Sequence, residues 1–143
     1  MNYSKELITK FNNKTAKIGV LGLGYVGLPL AVVFAQAGFN VTGIDPMEEK
    51  VKSLSQGKSY VLDVADETIK ALTSSGKLKA TADISTLKEL DAVSICVPTP
   101  LRKTGDPDLS FILAVADSLK KYVHPGMAVV LESTTYPGTT REM

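Results

Sequence analysis

The chain of 143 residues is 44% hydrophobic and 22% charged, which fits one globular domain and excludes a disordered or fibrous chain. With 16 basic side chains against 15 acidic ones and no basic cluster, it lacks the concentrated positive footprint that nucleic acid or an anionic membrane demands, so any anion it binds must be met locally. One cysteine and one histidine exclude a disulfide framework within the chain and a four-ligand zinc site; no metal is expected, and the compartment is expected to be reducing and cytoplasmic.

Met1 to Lys17 is polar and mixed in charge without an apolar core, so it resembles neither a signal peptide nor a membrane span, and no later run is long and apolar enough to cross a bilayer. Residues 1–15 are expected to be an extension, a short helix or disordered. Ala16 to Leu21 is a short β-branched run ending in glycines, and Phe39 to Ile44 is a second one ending at Asp45. Between them Leu28, Leu30, Ala31, Phe34 and Ala35 recur at helical spacing, with Pro29 in the first turn, which predicts a helix over Tyr25 to Ala37 closed by Gly38. Strand, glycine loop, helix and strand make a right-handed βαβ unit.

Helices are predicted over Pro46 to Ser55 and Asp66 to Ser75, stopped by Gly57 and Gly76, followed by a strand over Leu78 to Thr81. Asp83 is a candidate cap for a brief helix over Ile84 to Leu90, and Ala92 to Val97 has a buried-strand pattern. Leu109 to Tyr122 reads as an amphipathic helix capped by Asp108, with Ile112, Leu113, Val115, Ala116 and Leu119 inward and Lys120 and Lys121 in the last turn. Met127 to Leu131 is the last predicted strand. The expected fold is α/β, a Rossmann-like, doubly wound, mainly parallel sheet with helices on both faces, occupying residues 16–143.

Gly22-Leu23-Gly24-Tyr25-Val26-Gly27 is a G-x-G-x-x-G between a predicted strand and a predicted helix. The first glycine turns the chain, the second lets backbone approach a pyrophosphate, and the third lets helix pack on strand. The helix N-terminus then offers N–H groups and partial positive charge to phosphates. Asp45, at the end of the second strand, can accept hydrogen bonds from an adenosine ribose and would repel a 2′-phosphate, which favours NAD over NADP. Alternatives stand beside these readings: a structural turn for the glycines, an N-cap for Asp45, and the S-adenosylmethionine loop of methyltransferases. Two further strand ends, Val97-Pro98-Thr99-Pro100-Leu101 and Glu132 to Thr140, combine rigid prolines with hydroxyls and could hold a ligand in fixed geometry or be turns.

Gly22 to Pro29, Asp45 with Lys50, Val97-Pro98-Thr99-Pro100, Pro107-Asp108-Leu109-Ser110 and Glu132-Ser133-Thr134 through Thr140 together resemble the N-terminal NAD-binding domain of the UDP-glucose/GDP-mannose dehydrogenase family, collinearly from about Lys17 to Glu142. The Val-Pro-Thr-Pro and Glu-Ser-Thr loops most resemble the branch that oxidises UDP-N-acetylglucosamine or UDP-N-acetylmannosamine. The resemblance implies that Gly22, Gly24 and Gly27 shape the loop and that Tyr25 and Val26 present amides to the pyrophosphate. Asp45 would hold the adenosine ribose with Lys50 beside it, and Thr99 would contact the cofactor toward the nicotinamide. Thr134, rather than the neighbouring Thr135, would position the catalytic water or a reacting oxygen in a supporting role. Lys50 as a solvated helix lysine and Tyr25 as packing at the helix start are the plainer alternatives.

The resemblance further implies a UDP-sugar substrate, two NAD-dependent oxidations of a C6 alcohol to the acid, and a homodimer or higher oligomer. It implies a cysteine that traps the aldehyde as a thiohemiacetal, outside these residues. Cys96, between Ile95 and Val97 in an apolar strand, reads as core, and His124 reads as a surface or capping residue. Thr139 and Glu142 have capping-box spacing and are expected to open a helix toward the catalytic residues, the domain being cut before a central helix and a substrate domain, so that it is inactive alone. A non-catalytic NAD-sensing module is the rival reading.

Overall fold

The computed structural model describes residues 1–142. Five strands, β1 (Lys17–Leu21), β2 (Asn40–Ile44), β3 (Leu78–Thr81), β4 (Ala92–Ile95) and β5 (Ala128–Leu131), form one sheet in the order β3-β2-β1-β4-β5. Every pairing is parallel, and β1 lies at the centre with Leu21 opposite both Ile44 and Ile95. Helices α1 (Tyr3–Asn12), α2 (Gly27–Gln36), α3 (Glu48–Ser55), α4 (Asp66–Ser74), α5 (Ser110–Tyr122) and α6 (Thr139–Glu142) complete the chain.

Period-two alternation divides the core into two layers, because successive strand residues point to opposite faces. Ile18, Val20, Val41 and Leu78 pack with Leu28, Ala31, Ala35, Leu54 and Ile69 from α2, α3 and α4. Leu21, Ile44, Val93 and Ile95 pack on the other face with Leu87, Leu90 and Leu119. Leu28, Leu54, Ile69, Leu78 and Leu87 are fully buried, and each contributes roughly 1.5–3 kcal/mol of burial free energy. Helices on both faces of a parallel sheet make the doubly wound fold that the strand-helix alternation predicts.

Several boundaries differ from the predicted ones. The α2 helix begins at Gly27 rather than Tyr25, although the Leu28 N–H already reaches the Gly24 carbonyl at 3.1 Å. The α3 helix begins at Glu48 rather than Pro46, because Asp45 Oδ1 accepts the Met47 N–H at 2.9 Å and turns the chain first. Ile84–Glu89 is a 3₁₀ helix whose first turn is capped by Asp83, which accepts from the Ser85 N–H. The α5 helix begins at Ser110 rather than Leu109, and Leu109 rather than Asp108 is its N-cap residue, without a side-chain cap; Asp108 Oδ1 accepts the Ser110 N–H from one position further out.

Leu113 does not face inward. It is 50% exposed, because α5 seats Ile112 and Leu119 against the sheet and turns Leu113 a residue's rotation away, toward Arg102, Pro107, Leu109 and Tyr136. The capping box is also not formed: Thr139 Oγ1 donates to the Tyr136 carbonyl at 2.7 Å, while the Arg141 and Glu142 N–H groups go to the Gly138 carbonyl.

Candidate dinucleotide site

In a doubly wound sheet the crevice opens at the carboxyl ends of the central strands, where β1 delivers the Gly22–Gly27 loop, β2 delivers Asp45, and β4 and β5 deliver the two hydroxyl-bearing loops. Gly22 has φ +90°, and a Cβ there would lie 2.6 Å from the Cys96 carbonyl oxygen. Only glycine meets both conditions. A Cβ on Gly27 would overlap the Gly22 carbonyl oxygen, so the third glycine brings α2 onto the loop. A Cβ on Gly24, by contrast, would meet no atom within 4 Å, so backbone there borders open space.

The loop's hydrogen bonds divide in the same way. The Gly22 N–H is taken by the Ile44 carbonyl and the Leu23 N–H by Asp45 Oδ2, both at 2.9 Å. The N–H groups of Gly24, Tyr25, Val26 and Gly27 find no acceptor among the described residues. These are orphan donors of a helix N-terminus, carrying its partial positive charge. Tyr25 is 82% exposed and Val26 63%, so Tyr25 is not packing at the helix start.

Asp45 is 4% exposed, and its carboxylate is held by the Leu23 and Met47 N–H groups, with Lys50 Nζ at 3.4 Å from Oδ2. Lys50 thereby lies beside the acid, its side chain 26% exposed. Tyr60, which sequence reasoning missed, joins the cluster: its O–H donates to the Leu23 carbonyl at 2.7 Å, and Lys50 Nζ lies 5.9 Å from its ring centroid. Burial, with the nearby Asp45 charge, pushes the Tyr60 phenol above its ordinary range, so it remains a donor. No local pattern marks Tyr60; a lone aromatic hydroxyl between Gly57 and Asp66 is the only signal.

At the far side, Ser133 Oγ donates to the Val97 carbonyl at 2.9 Å and ties the two loops together, with Thr99 half-buried and Thr134 exposed on them. Cys96 lies in the core below the start of α2. Burial raises its thiol above the usual range, a Ser94 hydrogen bond opposes that, and Glu132 adds to it. His124 bonds the Leu90 carbonyl through Nε2 at 2.8 Å, away from the crevice ends. No cluster of metal-ligating side chains and no helix long and apolar enough to cross a membrane occurs among the described residues.

A parallel sheet with a glycine loop opening onto α2 and a buried acid ending the adjacent strand defines a Rossmann-like dinucleotide-binding domain. Residues 16–143 match the UDP-glucose/GDP-mannose dehydrogenase family, NAD binding domain, and the chain belongs to this family. It is 40% identical over 128 residues to the UDP-N-acetyl-D-mannosamine dehydrogenase of Pyrococcus horikoshii, covering 89% of this chain and 30% of that protein. It is 36% identical over 132 residues to the UDP-N-acetyl-D-glucosamine 6-dehydrogenase of Salmonella typhi, covering 92% and 30%. Its fold superposes with TM-score 0.84 and 38% identity on the NDP-N-acetyl-D-galactosaminuronic acid dehydrogenase of Methanosarcina mazei, over all of this chain and 32% of that one. The chain thus spans about a third of the length of the relatives it matches.

Proposed function

We propose that this chain is the NAD-holding part of a nucleotide-sugar 6-dehydrogenase that oxidises the C6 alcohol of a UDP-hexose or UDP-N-acetylhexosamine to the acid with two NAD. The observation that carries the reading is the pairing of four acceptor-free N–H groups, bordering open space at Gly24, with the buried carboxylate of Asp45. The names of the relatives support the substrate class.

Bound NAD supplies a hydride acceptor for each two-electron oxidation. The chain's residues bind and orient. Amides of Gly24, Tyr25 and Val26 face the pyrophosphate, with Gly22 and Gly27 holding the loop in shape. Asp45 accepts from the ribose hydroxyls. Asp45 is held by two 2.9 Å backbone bonds and only a long 3.4 Å contact to Lys50, so it would keep its aim while yielding the Lys50 contact to a ribose hydroxyl, with Lys50 beside the ribose. Thr99 contacts the cofactor toward the nicotinamide, and Thr134, exposed at the mouth, positions a water or reacting oxygen. The thiol that would trap the aldehyde is not Cys96, which is core; it, most sugar contacts, and the contacts of an oligomer come from other parts of the whole protein.

Titrating the chain with NAD and NADP while following thermal unfolding tests this. NAD should raise the midpoint, and NADP should bind at least about tenfold more weakly, because its 2′-phosphate meets the Asp45 carboxylate. Asp45→Asn, which keeps the side chain's shape, should erode that preference. Equal shifts from both dinucleotides would sink the ribose assignment. NADH formation from UDP-N-acetylglucosamine by these residues alone would overturn the division of labour.

A further inference from the structure

We propose that Tyr60 is a positioning residue for the dinucleotide: by holding the Leu23 carbonyl, it aims the Gly24 N–H into the space where the pyrophosphate binds. The inference rests on the proposed NAD binding and adds to it a residue from outside the β1-α2-β2 unit. Leu23 C=O and Gly24 N–H belong to one planar trans peptide, so they point in opposite directions and cannot be aimed independently. The Tyr60 O–H takes the carbonyl at 2.7 Å. That leaves the N–H directed away from Tyr60, where no acceptor exists among the described residues.

The rest of Leu23 is equally fixed: its N–H is on Asp45 Oδ2, and its side chain, fully buried, fills the room left by Gly43, whose Cβ would come within 2.6 Å of it. Gly24 is not fixed in this way, since it has no side chain in contact and glycine rotates freely. The Tyr60 bond is therefore the constraint that keeps this peptide from flipping. Tyr60 is itself braced. Ser59 Oγ donates to the Val61 carbonyl, the Ser59 N–H goes to Asp66 Oδ1 at 2.8 Å, and Val61 and Val64 are buried nearby. A phenol is protonated at neutral pH in any case, and burial here pushes its pKa further up, so the O–H remains a donor.

The test is Tyr60→Phe, which keeps the ring and removes the O–H, with affinities for NAD, ADP-ribose and AMP measured by calorimetry. The expected result is a loss of about tenfold for NAD and ADP-ribose, which carry a pyrophosphate, and less than about twofold for AMP. In ¹⁵N spectra the Gly24 amide should gain exchange broadening in the variant. Equal losses for all three ligands would mean general loosening and overturn the proposal, as would no loss at all. Failure of the unmutated chain to bind NAD would instead overturn the functional reading beneath it. Should Tyr60→Phe not fold, Ser59→Ala, which loosens the phenol's brace, should give a smaller loss with the same ligand pattern; a flat pattern there counts equally against the inference.

Discussion

Two glycines of one loop should answer the same substitution in opposite ways. Gly24→Ala adds a methyl that touches nothing, so the midpoint of unfolding should hold while NAD affinity falls at least about tenfold. Gly27→Ala drives a methyl into the Gly22 carbonyl and must displace α2, which should cost roughly 1–3 kcal/mol or more of stability by thermal or urea unfolding. If both variants lose stability alike, the open space at Gly24 is not there. Cys96 gives a third residue-scale expectation. Burial dominates its environment and raises the thiol, so iodoacetamide should label the native chain far more slowly than the urea-unfolded one at neutral pH. At this scale the loop and Asp45 were legible because their spacing encodes their geometry. Tyr60 was not, because its partner Leu23 lies 37 residues away and the two meet only once α2, β2 and α3 have packed.

Helix α1 is secured to the amino ends of the strands by a small polar joint. Lys10 Nζ donates to Asp91 Oδ1 at 2.6 Å, the Lys17 N–H donates to Oδ2 at 2.8 Å, and Phe11 meets Phe39 edge-on. Burial works against the Asp91 charge, but the Lys10 and Lys17 hydrogen bonds and charges outweigh it and hold the carboxyl below its ordinary range. A depressed carboxyl stabilises the fold above its unfolded pKa near 4 and loses that contribution as pH falls through the lower folded value. The joint should therefore weaken only below about pH 4. Asp91→Ala should cost about 1–2 kcal/mol at pH 7, and the cost should vanish toward pH 2 when unfolding is followed across that range. A cost independent of pH would refute the assignment. The alternation of elements was readable from Ala16 to Leu131, since apolar period and glycine stops are local signals, whereas α1 buries no residue and so reads as either a short helix or disorder. Leu113 was misplaced for a related reason: apolar residues at helical spacing mark a stripe wider than the part of α5 that the sheet covers.

For the molecule as a whole, a ligand that binds only the folded state adds RT ln(1 + [L]/Kd) to its stability. NAD at a hundred times its Kd should add about 2.7 kcal/mol, which for a chain near this size raises the midpoint by roughly 5–10 °C. A smaller shift at that saturation would mean that the unfolded chain binds too. The class of fold and the end of the sheet that carries the site derive from strand order, and the order of a doubly wound sheet is foreshadowed by right-handed crossovers. The tie between the two far loops through Ser133 is not foreshadowed, because it depends on β4 and β5 being neighbours in register.

The central strand also sets a timetable. β1 is the first strand in the chain, yet its second partner, β4, comes only after β2 and β3, and the turn at Gly22 is completed by the Cys96 N–H reaching the Leu21 carbonyl. Non-local parallel pairing of this kind is slow to form. A chain emerging from the ribosome would thus carry its glycine loop early but hold no nucleotide until β4 has arrived, and in refolding the return of NAD binding should keep pace with the slowest phase rather than the first.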